Sequence, residues 1–198
     1  MTKKHAVIPS IALDPGTRTR EPEYVPPAER LNQPALDFMT DFTVMTPITI
    51  GPDVSIDKAL DKMRREVVRL LLVTDDDDRI IGKITSMEIE GEKPVAFAQQ
   101  RRVPRSEIRV KDIMSPQAEV RVLTYDSVAK AEIGHIVATL NYLELKHLLV
   151  VETDPQSKSQ VVRGVLSRSK IGKDLHMNLN LVVVEPQTLA ERARGKSK

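Results

Sequence analysis

Two short stretches place a hydroxyl side chain at the end of an apolar strand and a charged side chain three residues later. The first runs from Gly82 to Glu88, with Thr85 as the hydroxyl and Glu88 as the charge. Such a hydroxyl can hydrogen-bond a sugar or phosphate oxygen, and a carboxylate one helical turn further on can accept from two hydroxyls. The same spacing is also typical of a capping box, in which Thr85 is the N-cap and Glu88 the third helical residue.

The second stretch runs from Gly164 to Lys170, with Ser167 in the place of the hydroxyl and Lys170 in the place of the carboxylate. Lysine has three donors and no acceptor, so Lys170 cannot receive protons from a diol. With Arg168 beside it, Lys170 suits a phosphate better.

The duplication extends upstream of both stretches. Asp37–Thr40 corresponds to Asp112–Ser115, and Arg69–Val73 corresponds to Lys146–Val150. The same order at a period of roughly 75–80 residues predicts two copies of one supersecondary unit. We expect each copy to bury its apolar face against the other.

The local sequence pattern predicts the strands and helices that carry these motifs. Arg69–Val73 is too short an apolar run for a helix, which predicts a buried strand parallel to its neighbour, and Thr46–Ile50 predicts an edge strand. Gly91 and Pro94 are expected to interrupt the helix that follows Thr85. In the second copy we expect one helix from about Ser127 to Leu140.

The predicted organisation has five parts. Residues 1–34 carry six prolines among charges, which indicates an extended or disordered arm. The first repeat spans 35–100, a linker 101–109 and the second repeat 110–176. Residues 177–198 contain a strand-like run, Leu179–Val184, and a basic tail.

Composition excludes several classes. The 198 residues contain no cysteine, have a net charge of +2 and are 3% aromatic, which argues against thiolate metal sites and nucleic-acid binding. Asp75–Asp78 lacks the ligand spacing of a calcium loop and predicts a hairpin turn. No apolar run approaches the length of a membrane span, and no signal peptide is recognisable, so a cytoplasmic location is expected.

The repeat, with its Asp-x-Met-Thr/Ser openings and Gly-x-x-Thr/Ser closings in both halves, resembles a tandem pair of cystathionine β-synthase (CBS) domains, a Bateman module. The resemblance covers about Leu36 to Leu175. It implies an α/β fold of two βαββα repeats packed as a pseudo-two-fold pair. It also implies a free-standing regulatory protein rather than an enzyme, which binds AMP, ADP, ATP or S-adenosylmethionine between the repeats, needs no cofactor and modulates an unidentified partner protein.

The resemblance assigns ligand-binding positions and no catalytic or metal-binding ones. Thr85 and Glu88 would hold the ribose, although the family usually has aspartate where this chain has Glu88. The strand residues would sandwich an adenine, and the remaining candidates lie in the second copy. The full set is Ile48, Ile50, Leu71, Thr85, Glu88, Val120, His147, Ser167, Arg168 and Lys170.

Three alternatives remain open at this point. Thr85 and Ser167 could only cap helices while Glu88 and Lys170 face solvent, and His147 could be a structural residue. The repeats could then form a ligand-free homodimeric scaffold that engages a partner. A weaker alternative is polyanion binding through the basic tails.

Overall fold

A computed structural model describes residues 6–21 and 23–179, which form two halves of similar construction. A short helix α1 (Pro27–Arg30) and a 3₁₀ turn (Ala35–Phe38) precede them. The first half then contains β1 (Thr40–Asp41), β2 (Thr49–Ile50), α2 (Ile56–Arg65), β3 (Leu70–Thr74), β4 (Ile80–Thr85), α3 (Ser86–Glu90) and α4 (Glu92–Arg101). The second half contains α5 (Val110–Ile113), β5 (Ser115–Pro116), β6 (Val122–Thr124), α6 (Tyr125–Ala129), α7 (Ile133–Tyr142), β7 (His147–Thr153), β8 (Gln160–Ser167) and α8 (Arg168–Asp174).

Each half lends a strand to the sheet of the other half. The first sheet has the order β2-β3-β4-β5 and the second β1-β8-β7-β6. Lys83 of β4 lies opposite Ser115 of β5, and Thr40 of β1 lies opposite Val165 of β8, both antiparallel. The Met-Thr and Met-Ser openings are therefore the segments that cross between the halves.

The glycine of each closing motif makes room for the crossing strand. A Cβ on Gly82 would lie 2.6 Å from the backbone oxygen of Ser115. A Cβ on Gly164 would lie 2.5 Å from the backbone oxygen of Thr40 and 2.9 Å from the Met39 sulfur. Any other residue at these positions would displace the crossing strand, because these distances are shorter than a carbon–oxygen contact allows.

The apolar residues form two separate cores, one in each half, so the expectation of one core shared between the copies was wrong. Ile56, Met63 and Leu71 lie in the first core, and Leu140 and Leu148 in the second. Crossing segments connect them: Ile108–Ile113 supplies buried side chains to the first core, and Ala35–Phe38 supplies them to the second. The halves are held together by this exchange rather than by a common apolar face.

Strands β2 and β3 match the structure predicted for them from the sequence. β3 is buried, pairs in parallel with β2, and β2 lies at the edge of its sheet. The β3–β4 hairpin turns at Asp75, whose carboxylate accepts from the backbone N–H of Asp77 and of Arg79 at 3.1 and 2.8 Å. The four aspartates thus build a turn, as predicted.

The helices differ from the prediction in two places. Only Gly91 separates α3 from α4; Pro94 lies in the first turn of α4, where a missing N–H costs no helical hydrogen bond. The helix predicted over Ser127–Leu140 is two helices, because the chain leaves α6 at Lys130 and starts α7 only at Ile133.

The end of the N-terminal segment is attached to the second half. The N–H groups of Ile133 and Gly134 donate to the carbonyls of Gln33 and Leu31 at 2.8 and 2.9 Å. Gly134 allows this approach, since a Cβ there would lie 3.1 Å from the Leu31 oxygen. Residues 6–21 carry exposed apolar side chains and no helix or strand. The strand-like run predicted from Leu179 lies, beyond Leu179 itself, outside the described residues.

Helices able to cross a membrane are absent from 6–21 and 23–179, because none is long and apolar enough.

Candidate functional site

A cavity of about 830 Å³ lies between the two halves. The first half contributes the end of β4 and the start of α3, and the second half contributes the starts of β7 and α8 together with the residues after α8. Both closing motifs therefore reach one cavity. Its lining residues are Arg69, Lys83, Thr85, Ser86, Met87, Glu88, Ser115, Glu144, Leu145, Lys146, His147, Arg168, Ser169, Gly172, Lys173, His176, Met177, Asn178 and Leu179.

Thr85 and Glu88 form a capping box at the cavity. The Thr85 hydroxyl accepts from the backbone N–H of Glu88 at 3.3 Å, and one carboxylate oxygen of Glu88, Oε2, accepts from the backbone N–H of Thr85 at 2.8 Å. The Thr85 hydroxyl also donates to Oε2 at 2.8 Å. The alternative in which Thr85 caps a helix is therefore present in the structure, as the spacing of the two residues suggested.

The second oxygen of Glu88, Oε1, ties the first half to the second. It accepts from the Ser115 hydroxyl at 2.6 Å and from the Lys93 ammonium at 2.8 Å. The Glu88 side chain is only 13% exposed, which argues against the alternative in which Glu88 faces solvent. Burial raises the pKa of Glu88, but the hydrogen bonds from Lys93 and Ser115 and the nearby Lys83 charge outweigh burial, and the net pKa lies below its ordinary value.

Cationic side chains dominate the lining. Five cations line the cavity against the two carboxylates of Glu88 and Glu144. Four of the five, Arg69, Lys83, Lys146 and Lys173, form neither a side-chain hydrogen bond nor an ion pair with any residue in the described part of the chain. Unpaired cations gathered in one concave site are typical of an anion-binding surface.

His147 lies among these charges at the start of β7. Burial first, and then the positive charges of Lys83 and Arg69, lower its pKa to about 4, against a smaller opposing effect of Glu88. The imidazole is therefore neutral near pH 7 and can donate or accept a hydrogen bond without adding charge. Lys83, Arg69, Glu88 and His147 all line the same cavity.

The closing motif of the second half is engaged in internal contacts. The Ser167 and Ser169 hydroxyls lie 3.1 Å apart, and the Lys170 ammonium donates to Asp174 at 2.6 Å. Arg168 lines the cavity, but its guanidinium donates to Asn141 Oδ1 at 2.5 Å and to the Leu179 carbonyl at 2.6 Å. Arg168 thus supports the wall formed by the residues after α8.

The structure brings only part of the predicted ligand set together. Thr85, Glu88, His147 and Arg168 line the cavity, whereas the other six candidates do not. Leu71 is fully buried and Ile50 nearly so, because both side chains point into the first core. The residues outside the cavity are Ile48, Ile50, Leu71, Val120, Ser167 and Lys170.

Of the five cations in the lining, only Arg168 was identified from the sequence. Arg69 and Lys146 occupy equivalent positions, each directly before a buried strand, and this repeated charge was visible in the sequence. Lys83 lies inside the first closing motif, where its spacing from Thr85 and Glu88 carries no signal of its own. Ser115 could be assigned to the site only once the strand exchange was known.

Metal-binding clusters of three or more histidines, aspartates or glutamates do not occur in 6–21 and 23–179.

Comparisons with known proteins agree with the resemblance to CBS domains. The sequence model of the CBS domain matches residues 37–90, and a search of curated proteins finds no match. Among solved structures, an uncharacterized conserved protein from Pyrococcus horikoshii is 18% identical, with 78% of this chain and 98% of that chain covered and a TM-score of 0.54.

Two further structures contain adenosine compounds. CBSX2, a protein from Arabidopsis thaliana, was solved in complex with AMP; it is 21% identical, with 72% of this chain and 95% of that chain covered and a TM-score of 0.50. The CBS domain pair of protein MJ0100 was solved in complex with 5-methylthioadenosine and S-adenosyl-L-methionine. It is 17% identical, with 74% of this chain and 97% of that chain covered and a TM-score of 0.50. At these identities the likeness shows the fold alone.

Proposed function

We propose that this chain, which contains a CBS domain at residues 37–90 and has the fold of a CBS-domain pair, is a regulatory module that binds a phosphorylated adenosine ligand between its halves. AMP, ADP and ATP are the candidate ligands. The observation that carries the proposal is the set of unpaired cations around the cavity.

The charge of the cavity favours phosphate. A terminal phosphate carries about −1.5 to −2 charge at pH 7 and three strong acceptor oxygens. Arg69, Lys83 and Lys146 present donors from both halves and make no competing ion pair within the described residues. A phosphate between them would gain charge-assisted hydrogen bonds and relieve the repulsion among the three cations.

The same charge disfavours S-adenosylmethionine. Its sulfonium and ammonium groups are positive and its one carboxylate is the only anion, so its net charge repels a cationic lining. Glu88 could attract a sulfonium, but its carboxylate is already bonded to Lys93 and Ser115. We therefore expect phosphorylated nucleotides to bind more tightly than S-adenosyl compounds.

Regulation would follow from the position of the cavity. A ligand that bridges Lys83 of the first half and Lys146 of the second would favour one relative arrangement of the halves. A partner protein that binds the two arrangements with different affinities would then respond to the ligand. The proposal assigns the chain no catalytic step.

Calorimetric titration with AMP, ADP, ATP and S-adenosylmethionine tests the proposal. We expect micromolar binding of at least one phosphorylated nucleotide, at least about tenfold tighter than S-adenosylmethionine, which corresponds to about 1.4 kcal/mol. Tighter binding of S-adenosylmethionine would contradict the role of the cations.

A second function, a ligand-free scaffold that joins partner proteins as a homodimer, is favoured by one observation. The side chains of both closing motifs are used internally, Glu88 by Ser115 and Lys93, and Lys170 by Asp174. If no adenosine ligand bound at millimolar concentration while the chain formed a stable dimer in analytical ultracentrifugation, the scaffold would replace the sensor.

A further inference from the structure

We infer that Glu88 does not recognise the sugar of the ligand, and that Ser115 is the residue responsible, because its hydroxyl occupies the carboxylate that would otherwise bind the sugar. The inference rests on the proposed function and concerns which part of the ligand the site recognises. It reverses the role that the sequence suggested for Glu88.

The acceptor capacity of Glu88 is fully used. A carboxylate offers about four lone-pair positions. Oε2 accepts from the backbone N–H and the hydroxyl of Thr85, both at 2.8 Å. Oε1 accepts from Ser115 at 2.6 Å and from Lys93 at 2.8 Å. No acceptor position remains for a sugar hydroxyl.

A sugar hydroxyl could reach Glu88 only by displacing a donor. Displacing Ser115 exchanges one hydroxyl for another, and the freed serine then needs a new partner, so the net gain is small. Displacing Lys93 would exchange a charge-assisted bond for a neutral one, and Lys93 is also held by the Ile113 carbonyl at 3.1 Å. Neither exchange gives a ligand with the sugar hydroxyl a higher affinity than a ligand without it.

Ser115 is held in place by the backbone. It belongs to β5, the strand that the second half lends to the first sheet, where it lies opposite Lys83. A Cβ on Gly82, the neighbour of Lys83, would already touch the Ser115 carbonyl, so the two strands are closely apposed. The pairing of β5 with β4 therefore positions the Ser115 side chain beside Glu88.

The second half has no carboxylate in its closing motif that could take the place of Glu88. The position equivalent to Glu88 is Lys170, which is paired with Asp174 at 2.6 Å. The other carboxylate lining the cavity is Glu144, in the turn before β7 and remote in sequence from either motif. Phosphate recognition by the cations is then left as the main source of affinity.

The test compares ATP with 2′,3′-dideoxy-ATP in calorimetric titrations of the full chain. We expect dissociation constants that agree within about threefold, since Glu88 forms no hydrogen bond to the sugar. ATP binding at least about tenfold tighter than the dideoxy analogue would overturn the inference and leave the proposed function intact. Absence of binding by both nucleotides, and by AMP and ADP as well, would overturn the proposed function and the inference with it.

The variant Ser115→Ala provides the second measurement. Removing the hydroxyl frees one acceptor position of Glu88, so ATP should gain at least about fivefold over 2′,3′-dideoxy-ATP. Ser86→Ala is the matched control, because Ser86 lines the same cavity and does not bond to Glu88. An ATP preference that stays near unity in Ser115→Ala would contradict the assignment of Ser115.

Discussion

The hydroxyl of Ser115 donates to the carboxylate of Glu88 at 2.6 Å, across the boundary between the two halves. Ser115 belongs to the strand that the second half lends to the first sheet, and Glu88 belongs to the helix that closes the first repeat. One hydrogen bond thus joins the opening motif of one repeat to the closing motif of the other. The residues that define the repeat in the sequence are the residues that hold the repeats together.

Replacing Glu88 by glutamine should destabilise the fold in a pH-dependent way. A carboxamide has one acceptor oxygen and one donor NH2 group, so two of the four donors that bond to Glu88 lose their acceptor. This loss should cost about 1–3 kcal/mol of unfolding free energy at pH 7. Because the folded pKa lies below the ordinary 4.5, the unfolded state binds more protons in acid. The stabilisation is therefore complete above about pH 4.5 and is lost as pH falls through the folded pKa.

Urea unfolding of the wild type and Glu88→Gln between pH 3 and pH 7 measures this difference. Glu90→Gln is the control. Glu90 lies on the same helix but is exposed, and its ion pair with Arg64 is long, at 3.8 Å. A difference between Glu88→Gln and the wild type that did not shrink in acid would contradict the role of the ionised carboxylate.

Replacing Arg163 by lysine should lower the thermal midpoint by loosening β1. The guanidinium donates to both oxygens of Asp41 at 2.9 and 2.8 Å, donates to Glu152 at 3.1 Å and lies 4.8 Å from the ring centre of Tyr125. Lysine cannot reproduce the two parallel bonds or the stacking. The hydrogen bonds from Arg163 hold the pKa of Asp41 well below its ordinary 3.8, so this stabilisation is present above that pH and is lost below it.

Differential scanning calorimetry compares Arg163→Lys with Arg79→Lys, whose ion pair with Asp77 is exposed. Equal midpoints for the two variants would show that the Arg163 network does not fix the crossing strand.

Alanine at Gly164 should destabilise the fold by about 1–3 kcal/mol. The added Cβ would meet the Thr40 carbonyl at 2.5 Å and force the crossing strand away from β8. Gly51→Ala should be nearly neutral, because the nearest atom to a Cβ there is 3.9 Å away. Chemical denaturation of both variants checks the contrast, and a Gly164→Ala protein as stable as Gly51→Ala would rule out the close approach.

Glycine at Val67 should stabilise the protein. Val67 has φ 55° and is 90% exposed, so a β-branched residue occupies the left-handed region without any packing in return. Glycine at this helix C-terminus should relieve the strain and gain about 0.5–1 kcal/mol. Val95→Gly, within α4, should instead lose about 0.3–0.5 kcal/mol, and urea midpoints that moved in the same direction for both variants would contradict this explanation.

Local patterns in the sequence predicted local structure well. The spacing of Ile56, Ala59, Leu60, Met63 and Val67 predicted the buried face of α2. The first four side chains are buried, whereas Val67 lies beyond the end of the helix and is 90% exposed. The three-residue spacing of Thr85 and Glu88 allowed a capping box, which is present. These features depend on neighbours within one helical turn, which a single sequence displays directly.

The strand exchange and the cationic lining could not be predicted in the same way. Pairing of Lys83 with Ser115 joins residues 32 positions apart through the order of the strands, and no local pattern specifies that order. The assignment of Leu71 to a ligand site depended on which face of β3 looks into the core, and a strand buried on both sides shows no alternation to reveal this.

The most direct test of the account is ATP binding by Lys83→Gln, measured by calorimetry beside the wild type. Lys83 lies at the cavity, unpaired among the described residues, so its loss should weaken ATP at least about tenfold. Lys158→Gln, in the exposed turn at the far end of β7, removes the same charge away from the cavity and should bind like the wild type. Equal weakening in both variants, or none in Lys83→Gln, would contradict the claim that the cavity between the repeats is the nucleotide site.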